Sequence, residues 1–453
     1  MSTEQAFNQP EGGEHPADLR GAQLLEKSDL YAPNPVYGVG HVGHANAGAQ
    51  VRITRFMLFA AVFLCGWSVL RIGDINLTLS DIGVTLVVCV MLVRGELNTR
   101  PFGQMTVFWI SGLTLMLAGL LLSTIANGVM VRWLIVAAQY LFAFLLVPMV
   151  LMGQQTTVTK RLPTVFVLGI VVSQMIGISA ILLFEPADTL ALMGDGFLTG
   201  NGRVGAMTGE PNPNGAMVAF AFPMLLYCIR NRMIPTGLGL LCGAILAWGL
   251  LLSGSFTGFA ASVVATGVYL AFSGFNQFAK VAMAGVVGIF LFVASGAPLP
   301  EAFENRVAGA LTTGDLNEAG TFSDRADLIS EAWQMADDNV LVGLGVDQYR
   351  VVSPHGAPVH ELHLLIWNEG GALGFVGLLM LLLMLIAGAV SALSKSRPEG
   401  AMILAVVAVF MVYTFSIPHM YSRQWIMPVL LAMSTFFAIH PNFDAFNKPW
   451  QRS

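Results

Sequence analysis

The chain has 453 residues, 55% of them hydrophobic and 11% charged, with a mean hydropathy of +0.70 and a formal net charge of −5. A soluble protein carries about 25% charged residues, so a large water-facing domain, a nucleic-acid binder and a disordered scaffold are all excluded. The apolar residues fall in repeated runs of roughly 17–25, the length that crosses a hydrocarbon core of about 30 Å. Barrel strands would alternate in short segments instead. The fold class is all-α, a polytopic membrane protein.

The first fifty residues are rich in Gly, Pro and Ala and hold six acids against two bases, Arg20 and Lys27. They read as a disordered tail, 1–50. No charged segment followed by a short apolar one opens the chain, so the first apolar run is expected to act as an uncleaved anchor. Twelve spans follow, at about 55–72, 75–93, 105–126, 130–151, 163–184, 212–229, 234–252, 257–273, 280–296, 362–391, 400–417 and 425–440. The organisation is then transmembrane helices 1–9 over 51–296, interrupted by a loop at about 185–211; a large loop over 297–361; helices 10–12 over 362–440; and a tail at 441–453. Only Ser253–Phe256 separates the seventh span from the eighth. The four cysteines, Cys65, Cys89, Cys228 and Cys242, lie inside apolar runs at no metal-site spacing and read as buried small hydrophobes.

With the N-terminus in the cytoplasm, the short connections alternate and fifteen of the 22 basic residues fall inside, as the positive-inside bias requires. Both termini are then cytoplasmic. The seven left outside are Arg71, Arg132, Arg203, Arg306, Arg325, Arg350 and Arg423, with no lysine among them. Arginine without lysine on that face suits a site for phosphate, because the guanidinium fork binds it bidentately and keeps its charge. For Arg71 and Arg132 the plainer reading is a span-flanking residue that reaches the headgroups.

Two outer loops carry the polar chemistry. The first contains Gly-Asn-Gly-Arg203-Val-Gly, then Gly-Glu-Pro-Asn212-Pro-Asn214-Gly; this density of Gly and Pro-Asn forces tight turns and is expected to leave backbone N–H groups open to a ligand. The second holds ten acids against three arginines between Pro298 and His360. Within it Ser323 is placed to cap a helix beginning at Asp324, with Leu328, Ile329, Ala332 and Trp333 on one apolar face that lies on the membrane or covers the bundle. Arg325 would stand in the first turn, against the helix dipole, which calls for another partner: an anionic substrate, or Asp324 or Glu331.

The strongest local signal is His360-Glu361-Leu-His363, followed by Glu369-Gly-Gly371 and Gly374, where the large loop re-enters the membrane. Ionisable groups there are expensive unless used. A metal is not expected, since His-x-x-His finds no third ligand at suitable spacing. The topology instead brings Arg203, Arg325, His360 and Arg423 to one face, a titratable base among arginines, which suits phosphate binding with proton movement.

Four blocks in order resemble the O-antigen ligase and polymerase superfamily of bacterial membrane glycosyltransferases, over about 200–375. They are Arg203 with Gly205 and Pro211-Asn212-Pro213-Asn214-Gly215; Ser253-Gly-Ser255-Phe256-Thr-Gly258; Ser323-Asp-Arg325 with Asn339-Val-Leu-Val-Gly343-Leu-Gly345; and His360 through Gly374. Phe256 stands where the family commonly has Arg, so that phosphate contact is lost or supplied elsewhere, with Arg423 the candidate replacement. Glu361 and His363 replace the usual Asn and aromatic residue. The resemblance implies a GT-C-like fold of about twelve spans in the bacterial inner membrane, with one large periplasmic loop. It implies transfer, without cofactor or metal, of an undecaprenyl-diphosphate-linked glycan to a sugar hydroxyl at the periplasmic face. On that reading His360 is the general base and Arg203, Arg325 and Arg423 hold the diphosphate. Asn212, Asn214, Ser255, Glu361, His363 and Glu369 support them. The acceptor is a growing glycan, as in a polymerase of O-antigen or exopolysaccharide repeat units, or the lipid A core, as in a ligase; the reading leans to the polymerase because genomes often carry several polymerases but one ligase. Membrane lipids surround the protein, and a polysaccharide flippase and a chain-length regulator are candidate partners. A transporter for an anionic solute is the rival of another class, and it would call for discontinuous helices and mid-membrane polar residues.

Overall fold

The computed structural model describes residues 44–71, 77–315 and 322–440. The tails expected at 1–50 and 441–453 lie outside the described residues, apart from residues 44–50. The chain forms two units, Met1–Gln50 and Val51–Ser453, and the helical bundle belongs to the second.

The described residues are helical, with two isolated β-bridges, Arg71–Thr78 and Leu198–Val204, and no strand. Helix α1 (His44–Phe63) and α2 (Leu79–Val93) open the chain, and α3 (Thr106–Asn127), α4 (Met130–Leu151) and α5 (Leu162–Leu183) follow. Beyond the first outer loop come α6 (Pro211–Arg230), α7 (Thr236–Ser253), α8 (Phe256–Ser273) and α9 (Phe275–Ser295). Helix α10 (Phe322–Asp338) lies in the large loop, and α11 (Leu362–Lys395), α12 (Arg397–Thr414) and α13 (Arg423–Phe437) complete the bundle. Left-handed Gly254 ends α7 and the Ser255 side chain caps α8, so the shortest connection is a genuine break between two helices.

Among the described residues nine helices are long and apolar enough to span a membrane: α3 to α9, α11 and α12. The other three expected spans take different forms. The run at 75–93 is the 15-residue α2, and the run at 425–440 is the 15-residue α13, which at 1.5 Å per residue rise only about 22 Å. Helix α13 is buried from Trp425 to Phe437, so that apolar run fills the core. The run at 55–72 leaves helix at Phe63, and its last part packs as a loop, Val69 N–H donating to the Met207 carbonyl at 3.0 Å. Cys65, Cys228 and Cys242 are buried, but Cys89 faces outward from α2, contrary to the expectation for all four.

Glycines set two close contacts between elements of the bundle. A Cβ on Gly119 of α3 would stand 2.6 Å from the Cα of Gly374 in α11, and one on Gly215 of α6 would stand 2.8 Å from the Ser255 Cβ. Small residues let backbones approach where lipid supplies no hydrophobic drive between helices. The second contact joins two separate blocks of the sequence, Pro211–Gly215 and Ser253–Gly258.

Helix α11 is discontinuous. Gly371 has φ +60° and ψ −168°, a conformation open to glycine alone. The freed groups are taken up by the segment 340–345: Leu344 N–H donates to the Asn368 carbonyl at 2.7 Å, Gly345 N–H to Glu369 at 3.0 Å, and Ala372 N–H to Val340 at 2.8 Å. Ser123 and Asn127 of α3 hold the same segment through Gly343, at 2.9 and 3.0 Å. Irregular backbone at such a position is tolerated because protein covers it.

Candidate active site

Arg203 is placed by a hairpin. Gly202, with φ +74°, turns the chain so that Gly202 N–H reaches the Thr199 carbonyl at 2.9 Å. Arg203 N–H meets the Thr199 hydroxyl, Val204 N–H the Leu252 carbonyl and Gly205 N–H the Phe197 carbonyl. These amides are therefore spent inside the protein, which corrects the expectation that the Gly-rich loop offers them to a ligand. The loop presents a guanidinium instead. Arg203 is only 8% exposed, and it donates through Nε to the Ser253 carbonyl at 2.9 Å and through Nη2 to Asn212 Oδ1 at 2.6 Å. Both acceptors are neutral. A guanidinium has five N–H donors, so the remaining ones keep their capacity for an anion.

Arg306 and Arg325 bring further positive charge to Arg203. Burial, then Arg306, then Arg325 push the Arg203 guanidinium down to about 10, still charged at neutral pH. Burial and Arg325 likewise lower Arg306. Arg325 is half-buried in α10, with no carboxylate partner among the described residues. Helix α10 starts at Phe322, so Ser323 lies within its first turn rather than ahead of it; the Ser323 and Asp324 side chains are outside the described residues. The α10 face is buried at Leu328 and Ala332, whereas Trp333 is exposed. That face packs on α11, where Asn368 Nδ2 donates to the Ala332 carbonyl at 2.9 Å.

His360 ends the large loop two residues before α11. Burial, with the nearby charge of Arg325, lowers its pKa, so the imidazole is neutral at pH 7. Among the described residues it has no hydrogen-bond partner. It lines a cavity of about 310 Å³ together with Arg71, Asp81, Glu210, His419 and Arg423. His363 does not join it there. Its Nδ1 is bonded to Glu361 Oε1, and its ring lies 5.0 Å from that of Phe415. The other Glu361 oxygen accepts from Leu364 N–H at 2.6 Å and caps α11.

Arg423 grips Asp81 through Nε at 2.6 Å and through Nη2, so its charge is matched within the protein although it lines the cavity. Asn214 is fully buried, accepting from Gln174 at 2.7 Å and donating to the Val204 carbonyl at 3.0 Å, which pins the hairpin behind Arg203. Ser255 caps α8 beside the Ser253 carbonyl that holds Arg203. Glu369 is buried at the break in α11, away from the cavity lining. Arg132 and Arg350 both pair with Asp347, at 2.7 and 3.7 Å.

Three site residues escape the sequence reading. Glu210 precedes Pro211 at the start of α6; the acid directly before Pro-Asn-Pro is its only signal. His419 sits in the loop before α13, stacked 4.9 Å from Tyr421, and burial lowers it to about 4. Arg306 counts among the seven outer arginines, but nothing local marks it.

No curated protein matches this chain. Residues 241–379, from α7 to the middle of α11, match the sequence model of the O-antigen ligase family. The matched segment contains Ser255, Arg325, His360, Glu361, His363 and Glu369, and over those 139 residues it bears out the resemblance to the O-antigen ligase and polymerase superfamily.

Proposed function

We propose that this protein moves a glycan from undecaprenyl diphosphate onto a sugar hydroxyl at the periplasmic face of the inner membrane, as a polymerase of surface polysaccharide. The observation that carries the reading is that Arg325 lies close enough to Arg203, Arg306 and His360 to act on all three, with Arg306 adding its charge beside the buried Arg203. Arginines held near one another with neutral acceptors on the buried one suit a diphosphate, whose charge grows as it leaves.

The acceptor hydroxyl oxygen attacks the anomeric carbon of the donor, and the anomeric C–O bond breaks with its electron pair passing to undecaprenyl diphosphate. The hydroxyl proton goes to His360. Preset guanidiniums stabilise the negative charge on the leaving oxygen, and an imidazole already neutral at pH 7 is ready to accept a proton. Inversion at the anomeric carbon follows from this single displacement. Asn212 and the Ser253 carbonyl aim Arg203, and Asn214 and Ser255 hold the elements that carry them. In this reading Arg423 serves the site through Asp81, as part of the cavity wall, and Arg306 joins Arg203 and Arg325 on the diphosphate.

A ligase using the lipid A core as acceptor would run the same chemistry. The broken α11 is a feature that favours a transporter, yet its freed carbonyls at Asn368 and Glu369 are already bonded to Leu344 and Gly345. The test is transfer by purified protein supplied with native lipid-linked glycan. Longer glycan and free undecaprenyl diphosphate support the reading, and movement of the lipid-linked glycan across a vesicle membrane without transfer contradicts it.

A further inference from the structure

The cavity beside His360 differs in charge from the arginine cluster. Neither Arg203, Arg306 nor Arg325 lines it. Its walls come from the turn after α1, the residue before α6, the end of the large loop and the α12–α13 connection, so distant parts of the chain build one chamber. Arg423 and Asp81 neutralise each other in the wall. That leaves Glu210 and Arg71, one charge of each sign. Arg71 spends its Nε–H on the Ser68 carbonyl at 2.9 Å, and among the described residues its other N–H groups have no partner.

Glu210 is the informative residue. An acid at a helix N-cap ordinarily accepts from the second or third amide of the helix, but Pro213 occupies the third position and has no N–H, and the Glu210 side chain makes no cap bond. The carboxylate is exposed and turned to the cavity lining instead. A carboxylate, a guanidinium, the Ser422 hydroxyl and the Ser68 oxygen, whose own proton goes to Gln424 Oε1 at 2.9 Å, set donors and acceptors side by side, the equipment that recognises a polyhydroxylated ring.

We infer that this cavity is the acceptor subsite and that it takes the terminal sugar of an uncharged glycan, with Glu210 and Arg71 hydrogen-bonding its hydroxyls. The inference rests on the glycosyl-transfer reading and adds to it the class of acceptor. About 310 Å³ is at the low end of ligand pockets, about 300–1,000 Å³, which suits one terminal unit with the rest of the glycan outside. Net charge in the wall cancels, so a phosphorylated core sugar would find one unpaired cation opposed by Glu210.

The experiment uses the full-length protein in lipid nanodiscs, with native lipid-linked glycan as donor and glycan released from the same lipid by mild acid as acceptor. Glu210→Gln and Arg71→Ala should each raise the KM for the released glycan about ten- to hundredfold, the worth of a hydrogen bond to a charged group. The Kd of the same variants for undecaprenyl diphosphate should stay at the wild-type value, which also shows that they are folded. Unchanged acceptor KM in both variants overturns the inference while leaving glycosyl transfer standing. So does weakened undecaprenyl diphosphate binding with normal acceptor KM, or a wild type saturated only by a phosphorylated core oligosaccharide. A wild type that transfers nothing from the lipid-linked donor overturns the underlying reading, and the inference with it.

Discussion

Arg203 donates to Asn212 Oδ1 at 2.6 Å across nine positions of sequence, and this bond turns a Gly-rich loop into a rigid mount for one guanidinium. The residue that the loop carries matters more than its open backbone. Because the Ser253 carbonyl holds Nε as well, the outward donors are fixed in direction before any ligand arrives, and little ordering cost remains at binding.

Arg203→Ala should therefore weaken donor use about ten- to hundredfold, from the loss of a charge-assisted bond worth about 1.5–3 kcal/mol. Arg203→Lys should restore only part of this, since lysine cannot hold Ser253 and Asn212 while presenting a fork. Initial rates at varied donor concentration check both, and a fully active lysine variant would mean that the contact is a simple point charge.

The pH dependence follows from the direction of the His360 shift. Burial and Arg325 disfavour the protonated imidazole, so kcat/KM should hold through neutral pH and fall only below the ordinary histidine range near 6.5. Removing the repulsion with Arg325→Ala should move that acid limb upward, toward 6.5, besides weakening the donor. A limb that shifts downward in Arg325→Ala, or stays fixed, would separate His360 from the arginine.

The pair Arg423–Asp81 predicts a stability effect. Asp81 is 3% exposed, and removing one member of such a buried pair costs about 3–5 kcal/mol. Arg423→Ala and Asp81→Asn should each lower the melting temperature in detergent, and the double variant should lose less than the two single losses added together. Additive losses would show that the two side chains do not stabilise one another.

Much of this architecture is legible in the sequence because bilayer thickness writes itself into the length of apolar runs. Where the reading of spans differs from the structure, the reason is physical. Hydropathy does not distinguish a helix in lipid from one buried in protein, so the burial of α13 cannot be read from its apolar run. The same limit hides Asp81, whose partner lies 342 positions away. His360 and Arg203 are visible in the sequence because they stand in motifs. His419, Glu210 and Arg306 reach the site only through folding of separate loops, and a single sequence has no local pattern for that. The separation of His360 from His363 is invisible for a related reason: it depends on Glu361 capping α11 with one oxygen and holding His363 with the other.

Gly371→Ala tests the break in α11. Its φ of +60° is strained for alanine, and a Cβ would stand 2.4 Å from the Leu341 carbonyl oxygen. Strain of this kind costs about 1–3 kcal/mol, so the variant should unfold at lower temperature, and amides of 340–345 should exchange hydrogen faster. Unaltered exchange there would mean that the segment does not depend on the glycine.

His360, at the end of the large loop, and not His363 in the first turn of α11, takes the acceptor proton in this mechanism. The direct measurement is the single-turnover rate of glycan transfer from bound undecaprenyl-diphosphate-linked donor in His360→Ala and His363→Ala. His360→Ala should slow transfer by about 10²–10⁴, the usual worth of a positioned base, with donor binding close to wild type, while His363→Ala should cost far less. A His360→Ala enzyme that transfers at the wild-type rate, or a His363→Ala enzyme that proves the slower of the two, would contradict the account.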